Sequence, residues 1–193
     1  ETDEPEEKEQ FMDIIQKNND LLLQLISDIL DLAKIESNTI EFKFSEVDVP
    51  EMCREIAASF RIKMPEGVRL VYERRPEPCV ISSDPIRLTQ VLSNFLNNAI
   101  KYTTRGSITL AYEHVPGGLR FSVTDTGEGI PPEVREHIFD RFYKGNQFKQ
   151  GTGLGLSICE TIVKRLGGRI GVQSEVGEGS TFWFTLPVGA ESV

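Results

Sequence analysis

The chain has 193 residues, 39% hydrophobic and 26% charged, which is enough for one sizeable core plus an appendage. Its formal net charge of −9 argues against general nucleic-acid binding and against a basic membrane anchor. Cys53, Cys79 and Cys159 are odd in number and scattered, with neither metal-ligand spacing nor a disulfide framework, so they are expected as buried small hydrophobes in a reducing compartment; no apolar run is long enough to span a membrane, and no signal peptide is visible.

The first ten residues are acidic, contain Pro5, and read as a loop entering a helix capped by Thr2 or Asp3. The chain begins on Glu1 rather than Met and is expected to be a piece of something longer. From Phe11 to Glu36 there is no Gly or Pro, and a helix over that range is roughly 40 Å long. Phe11, Ile15, Leu22, Leu25, Ile29 and Leu32 make one apolar stripe. Leu21, Leu23, Ile26, Leu30, Ala33 and Ile35 widen it beyond a two-helix seam. Such a helix calls for a bundle, completed by partners outside this chain or by a second copy. Asn18 within the stripe either sets register or is a tolerated polar residue.

Ser37 to Ile40 breaks the helix, and Glu41 to Phe44 is predicted as a short strand with Phe42 and Phe44 on one face. Val49 and Pro50 start a second helix carrying Met52, Ile56, Ala57 and Phe60, closed by Pro65 and Gly67. Strands are predicted around Val68, Leu70 and Tyr72 and again at Val80 and Ile81. Ser83, Asp84 and Pro85 form a helix start, a cap followed by Pro at the first position. That helix runs to about Tyr102, with Leu88, Val91, Leu92, Phe95, Leu96 and Ala99 on its core face. Asn94 and Asn98 lie one turn apart at the edge of this face, and Lys101 follows. A row of two amides and an ammonium beside a core lines a cleft or is a solvated edge. In a cleft, amide oxygens can ligate Mg²⁺ and a lysine can reach a phosphate.

Ser107 to Val115 and Leu119 to Asp125 are predicted as a hairpin through Pro116, Gly117 and Gly118. Leu119, Phe121 and Val123 share a face, and Asp125 has the same parity, which puts a carboxylate on the apolar side at the strand end. A buried carboxylate needs a dedicated donor. The N6 amine of adenine suits it, whereas guanine presents a carbonyl there. Gly127 and Gly129 let the backbone approach a flat base. DTGEG by itself fits a capped β-turn equally well. Pro131 or Pro132 opens a short helix ending near Phe139, and a long polar segment with the look of a mobile cover follows. Gly151, Thr152, Gly153, Leu154, Gly155 and Leu156 precede the apolar-periodic Ile158, Ile162, Val163 and Leu166. A helix therefore starts near Gly153 with its first N–H groups facing the loop, a phosphate cradle. No Lys-Ser/Thr pair follows these glycines and no strand immediately precedes them, so neither a Walker loop nor a Rossmann turn is present; a flexible loop is the alternative. Gly167 and Gly168 end that helix. Arg169 to Ser174 and Ser180 to Leu186 make a last hairpin, with Phe182, Phe184 and Leu186 on the core face and Trp183 on the other. The fold class is α+β, a two-layer α/β sandwich of a mixed sheet with helices on one face, preceded by a long N-terminal helix.

Five motifs occur in order: NFLNNAIKY from Asn94 to Tyr102, DTGEG from Asp125 to Gly129, FDRFY from Phe139 to Tyr143, GTGLGL from Gly151 to Leu156, and GEGST from Gly177 to Thr181. They resemble the N, G1, F and G2 boxes and the final Gly motif of two-component sensor histidine kinases, and the resemblance covers nearly the whole chain. It implies the Bergerat-type ATP-binding fold shared with gyrase, the ninety-kilodalton heat-shock chaperone and the mismatch-repair ATPases, with a left-handed β-α-β crossover and an ATP lid. It further implies ATP and Mg²⁺ as cofactors, and a role for each matched position. Asp125 reads the adenine amine, with Gly127, Gly129 and Ile130 about the base. Asn98 ligates Mg²⁺, with Asn94 beside it as a second metal and catalytic candidate. Lys101 and Tyr102 contact phosphate or ribose. Arg141 and Lys144 steady the γ-phosphate. Gly151, Thr152, Gly153, Leu154, Gly155 and Leu156 bring backbone N–H groups to the phosphates, Phe139 and Phe142 anchor the lid, and Thr181 completes the nucleotide set. His114 and His137 are structural.

The ATPase relatives carry a Glu where this chain has Asn94, and an amide is a poor general base. Water attack should be slow, sparing the γ-phosphate for another nucleophile. DLAKIES, from Asp31 to Ser37, resembles the end of the family's second dimerisation helix. Residues 1–40 are thus expected as a partial dimerisation and phosphotransfer helix, and 41–193 as the catalytic ATP-binding domain. The phosphoacceptor-His helix is expected just upstream, so this piece should phosphorylate a His supplied elsewhere rather than itself. Expected partners are that helix of the same full-length protein, a response-regulator receiver domain, and a second copy through the N-terminal helix. No nucleic-acid partner and no membrane segment in this chain are expected; the location is the cytoplasmic part of a longer sensor. The alternatives are a conformational ATPase of the same fold, disfavoured by Asn94, and a non-catalytic nucleotide-sensing scaffold, disfavoured by Asn98, Lys101 and Asp125.

Overall fold

The structure, a computed structural model, describes residues 4–37, 39, 41–73, 75, 77–143 and 152–187. Helix α1 spans Glu4–Glu36 and accommodates Pro5 in its first turn, where no helical N–H is lost. Strand β1 (Ser45–Asp48) leads into α2 (Val49–Arg61), capped by Asp48, whose carboxylate accepts the Glu51 N–H. Strands β2 (Val68–Glu73) and β3 (Val80–Ser83) precede α3 (Pro85–Tyr102). The hairpin β4 (Gly106–Val115) and β5 (Gly118–Asp125) follows, then the short α4 (Pro132–Arg135). Helix α5 (Gly155–Arg165) and the hairpin β6 (Arg169–Glu175) and β7 (Gly179–Pro187) complete the domain.

Five strands form one mixed sheet in the order β2-β4-β5-β7-β6; β2 runs parallel to β4 and the other pairs are antiparallel. The alternation expected on β5 and β7 is observed. Leu119, Phe121, Val123, Phe182, Phe184 and Leu186 are buried beneath α3 and α5, and the Phe121 and Phe184 rings stack with centroids 4.8 Å apart. Phe95 of α3 closes on Phe182 at 5.4 Å. Trp183 lies on the opposite face, over Gly171, under the Arg120 guanidinium. The three cysteines are free and buried, and burial pushes the Cys53 thiol up to about 12.

Two sequence expectations shift. The first strand lies at Ser45–Asp48, where it pairs antiparallel with β3, rather than at Glu41–Phe44. The Lys43 N–H is instead taken by the Asp84 carboxylate at 2.9 Å, and Phe44 is exposed, so Phe42 and Phe44 share no buried face. Helix α2 stops at Arg61, short of Pro65. Of the stripes predicted on α1, Ile35 is buried and Leu21, Leu25 and Leu32 are half-buried, while Phe11, Ile15, Leu22, Leu23, Ile26, Ile29 and Leu30 remain exposed.

Candidate functional site

The buried faces of α3 and β5 end at a common cavity of about 750 Å³. At one end stands Asp125, the last residue of β5, only 4% exposed. Its Oδ1 accepts the Gly127 N–H at 2.8 Å, a turn in which any Cβ on Gly127 would strike the Tyr102 carbonyl at 2.3 Å. Burial raises the Asp125 pKa above its ordinary value of 3.8; hydrogen bonds from the Gly127 and Ser180 backbone oppose the rise without cancelling it. The turn beyond is pinned from two sides. The Glu128 N–H reaches the Tyr102 carbonyl at 3.3 Å, and the Glu128 carbonyl accepts the Gly177 N–H at 2.9 Å. Gly129 has φ +70 and lies against the Glu175 carbonyl, where a Cβ would come within 2.0 Å. The Ile130 N–H is held by the Ser174 hydroxyl at 2.8 Å, and Gly129 and Ile130 line the cavity with the carboxylate.

Helix α3 supplies the floor. Asn94, Asn98 and Lys101 lie on one side of it and line the cavity together with Tyr102. The Asn98 Nδ2 donates to the Asn94 Oδ1 at 3.3 Å, and the Lys101 ammonium sits 4.9 Å from the Tyr102 ring centroid. At the far end the chain enters α5. Leu154 provides no side-chain cap for the first N–H groups of α5, which like those of any helix have no intrahelical partner, and Gly155 and Leu156 of this first turn line the cavity. Gly155 abuts Asn94: a Cβ there would lie 2.1 Å from Asn94 Nδ2. Gly153, with φ +74, packs on the Phe142 backbone, and its carbonyl accepts the Phe142 N–H at 2.9 Å.

Asn94, Asn98, Lys101, Tyr102, Asp125, Gly129, Ile130, Thr152, Gly153, Gly155 and Leu156 all line this one cavity. Gly127 shapes its rim through Asp125, and Leu154 is wholly buried beneath it. Phe142 is exposed with φ +61, and Arg141 is engaged with Glu36 of α1; neither reaches the cavity wall. Lys144 and Gly151 lie outside the described residues. Thr181 does not line the cavity. Its hydroxyl pairs with that of Thr124 at 3.0 Å on the outer face of the sheet, and Ser180, paired directly with Asp125, lines the cavity instead. Strand alternation already held that signal, because Ser180 shares the parity of Phe182 and Phe184. Sequence reasoning also missed Leu21, Gln24 and Asp28, which α1 contributes to the cavity. No local motif marks them, because long-range docking brings them there.

An acid facing an apolar slot, a row of amides and an open helix N-terminus in one pocket suit an adenine nucleotide. Residues 83–190 match the family described as histidine kinase-, DNA gyrase B- and HSP90-like ATPase. The chain belongs to that family. Sensor histidine kinases are among the proteins it resembles. It is 38% identical to the sensor histidine kinase RcsC of Escherichia coli over 192 residues, covering 95% of this chain and 20% of RcsC. The crystal structure of full-length ShkA in complex with AMPPNP matches 97% of this chain and 40% of its own, at TM-score 0.83 and 33% identity. The kinase ThkA, solved in complex with the response regulator protein TrrA, matches 95% of this chain and 52% of its own, at TM-score 0.75 and 29% identity. The chain therefore spans about a fifth of RcsC and at most about half of these structures. Among the described residues, no helix is long and apolar enough to cross a membrane.

Proposed function

We propose that this chain binds ATP with Mg²⁺ and transfers the γ-phosphate to a histidine on a helix outside it, for relay to a response-regulator aspartate. The observation that carries the reading is one cavity holding Asp125, Asn98 and the N-terminus of α5 together. Asp125 accepts the adenine N6 amine, while Gly129 and Ile130 pack on the base. The α5 N–H groups and Lys101 bind the phosphates and hold them in line.

The donor chemistry fits a magnesium ion. Asn94 and Asn98 offer hard amide oxygens, and among the described residues no cluster of three or more His, Cys, Asp or Glu competes for a softer metal. Asn98, with Asn94 beside it, would hold the ion, which supplies charge neutralisation to the phosphates when bound. Asn94 offers no base to a water molecule, so hydrolysis is slow and the phosphoryl group waits for an imidazole. In the transfer the bond from Pγ to the β-phosphate oxygen breaks, a Pγ–N bond forms, ADP leaves and the imidazole proton is released. Arg141 and Lys144 are the remaining members of the proposed catalytic set, as cations that steady the γ-phosphate.

Residues 1–40 act as a partial dimerisation and phosphotransfer helix, and residues 41–193 as the catalytic domain. A receiver domain is the downstream partner, a reading supported by the solved ThkA complex with its regulator. The setting is the cytoplasmic side of a longer, dimeric sensor. The test mixes this chain, γ-labelled ATP and Mg²⁺ with a separate chain carrying the upstream His-bearing helix. Acid-labile, alkali-stable label on the second chain is expected. Steady phosphate release with no labelled acceptor sinks the kinase reading in favour of an ATPase.

A further inference from the structure

Helix α1 does more than lead into the domain: it crosses the cavity at the end away from Asp125. Its Asp31 carboxylate accepts from Gln90 Nε2 at 2.7 Å and lies 3.6 Å from the Arg87 guanidinium. Gln90 sits twelve residues before Tyr102 on α3, or about 18 Å along the axis from the adenine-reading end. One turn earlier on α1, Asp28 is 5% exposed and lines the cavity. Its Oδ2 accepts the Thr152 hydroxyl at 2.6 Å, and its Oδ1 accepts Gln24 Nε2 at 2.7 Å. Thr152 Oγ1 in turn accepts the Leu154 N–H at 3.2 Å, so the carboxylate is coupled through one hydroxyl to the uncapped start of α5.

The helix terminus proposed as the phosphate seat thus already has a carboxylate one hydroxyl away, supplied by the chain itself. We infer that Asp28 is a resident substitute for the terminal phosphate, and that a nucleotide with a full triphosphate must displace it, and α1 with it, whereas shorter nucleotides need not. Two negative groups cannot share one hydroxyl and one helix N-terminus without like-charge repulsion in a partly dehydrated cavity. The docked helix consequently discriminates by phosphate-chain length, and by linkage a triphosphate loosens α1 by the same factor by which α1 weakens its binding. The inference rests on the nucleotide reading of the cavity and deepens it from what binds to what binding moves.

The test is calorimetry on the whole chain with adenosine, ADP and ATP in the presence of Mg²⁺. Asp28→Asn, close to isosteric, is expected to tighten ATP by about fivefold or more, to tighten ADP less, and to leave adenosine within about twofold. Asp28→Ser, smaller and uncharged, should reproduce that order through a different side chain should the amide variant misfold. Asp31→Asn loosens the contact of α1 with α3 without touching Thr152, and by the same linkage should raise the ATP-to-ADP affinity ratio, by less than Asp28→Asn does. Hydrogen exchange in α1 should rise on adding ATP to the unsubstituted chain and rise less with ADP. Equal gains for all three ligands in the Asp28 variants, or an unchanged ATP-to-ADP ratio, overturn the inference while leaving the nucleotide site standing. An unsubstituted chain that binds none of the three overturns both.

Discussion

Asp125 carries opposite obligations toward folding and toward ligand. It is buried and its pKa is raised, chiefly by loss of water. A group whose folded pKa exceeds the unfolded one favours the fold on the acid side and loses that contribution as pH rises through the raised value. At neutral pH the ionised carboxylate therefore opposes the unliganded fold. Asp125→Asn should leave the apo thermal midpoint unchanged or higher, yet weaken ATP by about tenfold or more, the scale of a lost hydrogen bond to a charged group. Trp183→Ala, on the other face of the sheet, should leave ATP affinity within about twofold; a comparable loss in both variants would remove the adenine assignment. Acidification should weaken ATP binding from a pH above the ordinary carboxylate value of 3.8, because the protonated acid no longer accepts the amine in the same way. GTP, with a carbonyl at that position, should bind far more weakly than ATP.

Single residues also decide whether whole elements form. Asp84 caps α3 by accepting the Ile86 and Arg87 N–H groups at 3.0 and 3.1 Å through one oxygen, and its other oxygen takes the Lys43 N–H. Removing it uncaps the helix that carries Asn94, Asn98 and Lys101, and also frees the segment leading to β1. Asp84→Ala should cost about 2 kcal/mol in urea unfolding, the upper end for a helix cap. The turns show a similar contrast. Gly117 and Gly129 both have positive φ, but a Cβ on Gly117 meets nothing within 4 Å, whereas on Gly129 it strikes the Glu175 carbonyl. Gly117→Ala should therefore cost about 1 kcal/mol, the backbone term alone. Gly129→Ala should cost more and should lower ATP affinity as well, because it moves the cavity wall proposed to hold the base. Equal destabilisation by the two substitutions, measured by thermal or urea unfolding, would show that the clash is relieved without moving that wall.

At the scale of the molecule, α1 is the unfinished part. It leaves Phe11, Ile14, Ile15, Leu22, Leu23, Ile26, Ile29 and Leu30 exposed while its polar residues grip Gln90, Thr152 and Arg141 of the α/β layers. Each such side chain gains about 1.5–3 kcal/mol when fully buried. A chain with this face open should self-associate at high concentration in sedimentation. Leu23→Glu together with Leu30→Glu should abolish that association without changing adenosine binding. Persistence of the dimer in the double variant would place the contact elsewhere.

The core strands, α3, α5 and the Gly turns were legible in the sequence because their signals are local. Alternation of two, helical periodicity and a cap followed by Pro each act over a few residues. The same locality singled out Asp125, Asn98 and Gly153 in the sequence, and the structure brings all three to one cavity. The strand at Ser45–Asp48 was not legible, because it exists only by pairing with β3, and Phe42 and Phe44 imitate its alternation just upstream. Ser180 was within reach of the alternation rule, but the motif drew attention to its neighbour Thr181. What the sequence alone determined was the set of chemical groups at the pocket and the elements that carry them. What only the tertiary structure decided was that α1 lies across that pocket with Asp28 on Thr152, since a contact between residues 124 positions apart is specified by docking and not by any local pattern.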